Sequence, residues 1–230
     1  MPGMAKQPNA VALQLFGPIA RDYERWAAVL SLGQDPRWRQ AMVEGLELRA
    51  GERLLDVACG TGSVARLATA RGCDVVALDQ SAEMLEKARA NRLSVVRATA
   101  ERLPFPDASF DALTFTYLLR YVADPAACMR ELVRALRPGG RIGMVEFGRP
   151  RGLTAPPWWL YTRVALPSAG ALIGHGWRRV GAFLGPSIDG FHRRFPPREL
   201  TALWTGAGLV DVRTERHSLG GGLLMWGRRP

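Results

Sequence analysis

Residues 54–62, Leu-Leu-Asp-Val-Ala-Cys-Gly-Thr-Gly, constrain this chain more than any other stretch. Leu54, Leu55 and Val57 read as a short buried strand with Asp56 near its end. Ser63-Val-Ala-Arg-Leu-Ala-Thr-Ala reads as a helix that starts near Ser63. Between them, Gly60 and Gly62 permit φ > 0 and let a ligand approach bare backbone. The unpaired N–H groups of the helix start then face whatever binds. A strand, a glycine turn and a helix make half of a nucleotide-binding unit.

The alternation continues. Cys73–Asp79 reads as a second strand ending on an acid, and Ser81 caps a helix through about Asn91, with Glu83 in its first turn. Leu93–Ala98 and Phe110–Tyr117 read as further strands around a Leu103–Asp107 loop. Pro125 opens a helix that the spacing runs to Leu136, with a stop at Pro138-Gly-Gly140. Arg141–Phe147 is a fifth strand, Pro197–Gly206 a helix, and Leu209–Glu215 and Gly222–Gly227 the last strands. Strands alternating with helices imply βαβ units and a parallel sheet, the α/β class. Ahead of them, residues 1–10 read as a loose tail. Gln14–Leu30 carries a helical apolar stripe, Gly33–Pro36 breaks it, and Trp38–Leu46 restarts a helix. This pair either forms a lid over a site or simply packs on the domain. The organisation expected is one domain, with a helical lid over 1–48, a core over 49–149, an aromatic and basic insertion over 150–190, and a C-terminal helix and strands over 191–230.

At 230 residues the chain can bury a substantial core. It has no apolar run long enough to span a bilayer and no signal-peptide pattern at its start. Cys59, Cys73 and Cys128 are an odd set without paired spacing, which points away from disulfides and zinc and toward a reducing cytoplasm. His175, His192 and His217 lack metal-ligand spacing, so no metal is expected. The net charge is +10, and from Arg149 onward twelve arginines stand against four acids. That excess suits an anionic partner, or it reflects solubility in an arginine-rich composition, since only Lys6 and Lys87 are lysines.

Gly60-Thr-Gly62-Ser-Val-Ala65 also fits the dinucleotide pattern G-x-G-x-x-A, with Asp79 about where a ribose-binding acid would stand. Asp56 argues for a different ligand. A strand-borne carboxylate four residues before Gly60 has nothing to offer a pyrophosphate but suits an ammonium group. S-adenosylmethionine carries an amino-acid end, a ribose diol for Asp79 and no phosphate.

The succession LLDVACGTG, VVALDQSAEML, ATAERLPFPDASFD and ELVRALRPGG resembles the class I S-adenosylmethionine-dependent methyltransferases. IARDY, VLSLGQDPRW, LLRYV, MVEFGRP, PSI and LGGGLLMWGRRP are similar to the ubiquinone/menaquinone C-methyltransferase family, in particular its demethylmenaquinone branch. The resemblance spans nearly the whole chain and is weakest over 150–180. It implies a Rossmann-like seven-stranded sheet in order 3-2-1-4-5-7-6, the seventh strand antiparallel, with an insertion after the fifth. It further implies that Gly60, Thr61 and Gly62 meet the methionine part of the cofactor, Asp79 its ribose, Thr99 and Ala100 its adenine, and Thr116 its flank. Tyr23 matches a tyrosine of the closing N-terminal helix, and Arg120 an arginine at the substrate. Four positions depart from the family pattern: Thr99 replaces Asn or Asp, Glu24 replaces Asp, Ala27 or Ala28 replaces an Asn, and Tyr121 replaces the Asn after the arginine.

The implied reaction is C-methylation of a reduced prenylated quinone, demethylmenaquinol to menaquinol, yielding S-adenosylhomocysteine. In-line transfer from a sulfonium needs alignment and exclusion of water rather than a metal. A guanidinium keeps its proton, so Arg120 would stabilise a quinolate electrostatically while water takes the proton; alternatively it is a surface or ion-paired arginine. Tyr121, Trp158 and Trp159 are candidate substrate contacts, although tryptophans are more often core. Aromatics among arginines over 150–180 also suit a peripheral, anionic membrane surface at the inner face of the membrane. Tyr121 keeps a second acceptor class open, a lipid amine or a phenolic natural product. A basic nucleic-acid-binding protein is a further class, but no reading helix or stacking platform supports it, and no nucleic-acid partner is expected. A homodimer is compatible with the chain.

Overall fold

The computed structural model describes residues 8–174 and 176–230; the tail before Pro8 and His175 lie outside the described residues. The N-terminal region is helical from its first described residue. Helix α1 (Pro8–Phe16) passes through a 3₁₀ segment (Gly17–Asp22) into α2 (Tyr23–Leu30). The single helix expected over 14–30 is therefore two, because Gly17-Pro18 interrupts the α-helical ladder. Residues 8–10, read as part of a loose tail, already belong to α1. Helix α3 (Gln34–Glu44) starts earlier than expected, since the break lies at Leu32 and Gly33, at φ 54° and 73°, while Pro36 sits in the first turn, where proline is tolerated.

The core follows: β1 (Arg53–Val57), α4 (Ser63–Thr69), β2 (Asp74–Asp79), α5 (Ala82–Ala90), β3 (Ser94–Arg97), β4 (Phe110–Thr116), α6 (Pro125–Ala135) and β5 (Leu136–Phe147). Helix α5 is capped by Ser81, whose hydroxyl accepts the Met84 N–H. Helix α6 is capped by Asp124, which accepts from Ala126 and Ala127. The helix expected to reach Leu136 ends at Ala135, because Leu136 is extended and pairs with Phe110 of β4, so β5 begins five residues early.

Most of the described residues between 152 and 190 are helical. Helix α7 (Ala155–Leu160) runs through a π-helical turn (Tyr161–Ala165) into α8 (Leu166–Ile173), and α9 (Trp177–Arg194) packs back against them. At Gly181 a Cβ would sit 2.6 Å from the Leu166 carbonyl oxygen, so only glycine allows this close approach of helices. Helix α9 runs past residue 190 without a break, so the insertion and the C-terminal part share one helix. Helix α10 (Pro197–Gly206), β6 (Val210–His217) and β7 (Gly222–Arg228) complete the chain.

The strands form one sheet in order β3-β2-β1-β4-β5-β7-β6. β7 runs antiparallel between β5 and β6, and the other pairings are parallel. Leu54, Leu55 and Val57 of the central strand are fully buried, as a strand covered on both faces requires. Leu55 and Val57 share a buried cluster with Phe115, Met129 and Trp204, while Met42 of α3 and Leu46 just beyond it pack with Val145 of β5 and Trp226 of β7. This places α3 against the sheet and carries α1 and α2 over the carboxyl ends of β1, β2 and β4.

Candidate active site

A large cavity lies over those carboxyl ends, walled by Phe16, Tyr23 and Arg39 above, the Ala58–Thr61 turn and Asp79 at one end, and Tyr121, Trp158 and Trp177 at the other. Ligands in open α/β sheets bind at this edge.

At the turn end, Asp79 closes β2 and accepts the Gly60 N–H on Oδ2 and the Ser81 N–H on Oδ1, both at 2.9 Å. Each oxygen keeps a lone pair for a further donor. Burial pushes the carboxyl up from its usual range and the backbone bonds oppose it. Gly60 has φ 57° and open space within 4 Å of where a Cβ would stand, so bare backbone borders the cavity there. Gly62 is different: at φ 88° its Cβ would fall 2.2 Å from Leu93, so it serves packing, and it does not line the cavity. Thr61, Thr99, Ala100 and Thr116 do line it.

Asp56 also lies outside the cavity, contrary to the expectation that it faces a ligand's ammonium. It is buried, with Oδ1 accepting from the Thr114 hydroxyl at 2.8 Å and Oδ2 from the Ala65 N–H at 3.1 Å. Burial raises its pKa to about 7, against the pull of those bonds. Its role is to tie β1 to β4 and to the start of α4.

Helix α2 is latched to this turn. Glu24 of α2 accepts from Thr61 Oγ1 at 2.6 Å and Ser63 Oγ at 3.0 Å, and pairs with Arg66 at 2.8 Å. Burial acts to raise the Glu24 carboxyl, but the Thr61 and Arg66 contacts outweigh it and hold it below the usual range.

At the other end, Arg120 lines the cavity and forms an ion pair with Glu146 of β5 at 3.0 Å, their side chains 2% and 1% exposed. The guanidinium carbon lies 5.3–5.7 Å from the ring centres of Tyr117, Tyr121 and Phe147. Burial raises the Glu146 carboxyl, and Arg120 opposes that. Arg120 is thus an ion-paired arginine that also lines the cavity wall. Tyr121 is 7% exposed, stacks on Phe183 and meets Phe16 edge-on, and its buried hydroxyl has no protein partner. Burial pushes that phenol up to about 12. Tyr23 stacks on Trp177 at 6.2 Å and meets Phe16 at 6.1 Å. Trp158 lines the cavity, whereas Trp159, one residue on and about 100° round the helix, is exposed and does not line it.

Three buried charged residues escaped the sequence reading: Glu146, and the pair Asp35 and Arg39 of α3, which line the cavity. An acid and an arginine four residues apart on a helix read as a solvated surface pair. The only hint was their place beside Trp38 and Met42.

The cavity fits S-adenosylmethionine: free lone pairs on Asp79 suit a diol, the open backbone at Gly60 suits a close-lying chain, and the far end is aromatic. The sheet order with an antiparallel β7, and the edge at which the cavity opens, are those of a class I S-adenosylmethionine-dependent methyltransferase. A Thermotoga maritima S-adenosylmethionine-dependent methyltransferase shares the fold with a TM-score of 0.67 at 21% identity, over 95% of this chain and 99% of its own. Phosphoethanolamine N-methyltransferase 2 of Haemonchus contortus, solved with S-adenosyl-L-methionine, does so at 0.60 and 14% identity, over 84% of this chain and 52% of its own.

Residues 4–228 match the ubiE/COQ5 methyltransferase family, and the chain belongs to it. Its relatives include the demethylmenaquinone methyltransferase of Clavibacter sepedonicus, 36% identical over 228 residues, covering 96% of this chain and 90% of that protein. That of Mycolicibacterium gilvum is 38% identical, over 96% and 94%. That of Tropheryma whipplei (strain Twist) is 40% identical, over 90% and 87%. The chain is a methyltransferase.

Proposed function

We propose that this chain methylates a ring carbon of a reduced prenylated quinone, converting demethylmenaquinol to menaquinol with S-adenosylmethionine as donor. The observation that carries the reading is the two-ended cavity, whose polar end holds Asp79 and Gly60 and whose aromatic end holds Arg120, Tyr121 and Tyr23. When bound, S-adenosylmethionine supplies an electrophilic methyl on a sulfonium. Asp79 takes the ribose hydroxyls, Thr99 and Ala100 border the adenine, and Thr61 and Thr116 flank the methionine part.

Arg120 remains cationic and, fixed by Glu146, presents positive charge where a hydroxyl of the quinol ring ionises and makes the neighbouring carbon nucleophilic. The proton leaves to water. Tyr121, protonated and without a protein acceptor, donates its O–H to an oxygen of the ring. Tyr23 and the Glu24 latch close α2 over the reactants and exclude water.

The acceptor's prenyl tail accounts for the outer face of the insertion. Trp158, Tyr161, Thr162 and Leu166 wall the cavity, while Trp159, Leu160 and Val164 on the same helical stretch point outward, with Leu153 96% and Leu172 91% exposed. Arg149, Arg151, Arg178 and Arg179 flank them. Among the described residues no helix is long and apolar enough to cross a membrane. This face rests on an anionic bilayer, and the tail stays in lipid while the ring enters the cavity.

The test is acceptor-blind. The enzyme is incubated with methyl-labelled S-adenosylmethionine and a reduced membrane-lipid extract. The label is expected in a quinone. Label in an amine head group or a simple phenol instead would replace the quinol with the acceptor class that Tyr121, in place of an amide, leaves open.

A further inference from the structure

The donor's amino-acid end carries an α-carboxylate, and an anion entering a largely apolar cavity needs a cation there. Two arginines line the cavity. Arg120 is held by Glu146 at 3.0 Å and by Ser187 at 3.3 Å, among the rings of the acceptor end. Arg39 stands elsewhere. It is 6% exposed, and its Nη1 donates to Oγ1 of Thr116, the last residue of β4, at 3.4 Å. β4 pairs directly with β1, whose end runs into the glycine turn. Arg39 therefore lies over the strand ends beside that turn, near enough for its charge to act on Asp56 and on the Tyr23 phenol.

Arg39 is anchored chiefly along one edge. Nε alone meets both oxygens of Asp35, at 3.0 and 2.9 Å, and Asp35 is held in turn by the Tyr117 hydroxyl at 2.5 Å. Asp35 thus anchors the Nε edge of the guanidinium, while Nη1 meets Thr116, the Tyr23 hydroxyl lies within hydrogen-bonding reach, and the residue lines the cavity. A planar fork anchored at one edge is preorganised to take a carboxylate at the other. We infer that Arg39, with the Thr116 hydroxyl beside it and Asp35 as its positioning partner, receives the α-carboxylate of the methyl donor. The inference rests on the reading of this cavity as the donor site.

The experiment compares two ligands differing only at that group. S-adenosylmethionine and decarboxylated S-adenosylmethionine share the adenosine, the sulfonium and the ammonium. Their dissociation constants are measured by calorimetry on the wild type, Arg39→Met, Arg39→Lys and the double variant Asp35→Asn/Arg39→Met. The double variant removes the carboxylate that the single one orphans. The wild type is expected to prefer S-adenosylmethionine, and Arg39→Met to weaken it by about 10- to 100-fold, as for a charge-assisted hydrogen bond. Decarboxylated ligand should bind all variants within about twofold, which also shows that they are folded, and lysine should recover part of the preference. Equal weakening of both ligands, or an unchanged preference in both methionine variants, would overturn the assignment. Failure of the wild type to bind either ligand would instead remove the donor reading itself, and this inference with it.

Discussion

Replacing Arg120 with methionine separates its structural role from its catalytic one. The substitution leaves Glu146 buried and charged without its partner, and losing one member of a buried pair costs about 3–5 kcal/mol. At about 2.1 cal/mol/K per residue, unfolding 230 residues carries an entropy of about 0.5 kcal/mol/K, so Tm should fall by about 6–10 °C at pH 7.5. The deficit should depend on pH. Burial raises the folded pKa of Glu146 above its unfolded value, and more so without Arg120. A group raised in this way favours the folded state below its unfolded pKa and loses that benefit as pH rises through the folded value. The gap to wild type should therefore shrink toward acid and be largest above neutrality. Arg120→Met/Glu146→Gln removes the stranded charge yet keeps an oxygen for the Phe147 N–H, which Glu146 accepts at 2.7 Å. Its melting temperature should return close to wild type while methyl transfer stays lost. Thermal unfolding by circular dichroism between pH 5.5 and 8.5, paired with a turnover assay, reads both. A single variant melting within about 2 °C of wild type across that range would refute the buried-pair argument. A double variant that turns over normally would refute the electrostatic role of Arg120.

Other outcomes follow from the same geometry. Asp79→Asn turns an amide N–H₂ toward the Gly60 or Ser81 N–H. S-adenosylhomocysteine at about 100 times its Kd should raise the wild-type Tm by about 5 °C, and that rise should vanish in the variant, as differential scanning fluorimetry would read. Tyr121→Phe removes a hydroxyl without a protein partner, so Tm should hold or increase slightly, while kcat/KM should fall about 10-fold with unchanged S-adenosylhomocysteine affinity. Because the Tyr121 phenol titrates at about 12, its contribution should stay flat to about pH 10. Leu153→Glu/Leu160→Glu/Leu172→Glu should abolish flotation with vesicles containing phosphatidylglycerol and leave S-adenosylhomocysteine binding intact. A wild-type dimer that this triple variant dissociates, without any vesicle binding, would assign the face to a second copy.

Most strands were legible because they are short apolar runs between glycines, prolines and helix caps, and because Leu54, Leu55 and Val57 make β1 apolar on both faces; β6, polar and exposed over most of its length, is the exception. The place of β7 between β5 and β6 came only with the resemblance, since pairing order leaves no local signature. At the site, Asp79 was legible from its spacing to Gly60. For Asp56 the sequence is silent on where a strand acid's hydrogen bonds go; in the fold Thr114 and Ala65 each engage one of its oxygens and the residue does not line the cavity. Arg39 and Asp35 were passed over for the opposite reason, since local spacing alone suggests a solvated pair and only the packing of α3 on β5 and β7 buries it. Trp158 and Trp159 differ by one residue and by which side of a helix they occupy, and that phase could not be read across the π-helical turn.

The central claim is that a methyl passes from the Asp79 end of the cavity to a reduced quinone ring at the Arg120 end. Purified enzyme, labelled S-adenosylmethionine and demethylmenaquinone in vesicles, with and without dithionite, test it directly. Label should enter the quinone ring only in the reduced sample and should disappear with Arg120→Met/Glu146→Gln. Equal labelling of the oxidised quinone, or no quinone labelling while another lipid is methylated, would contradict it.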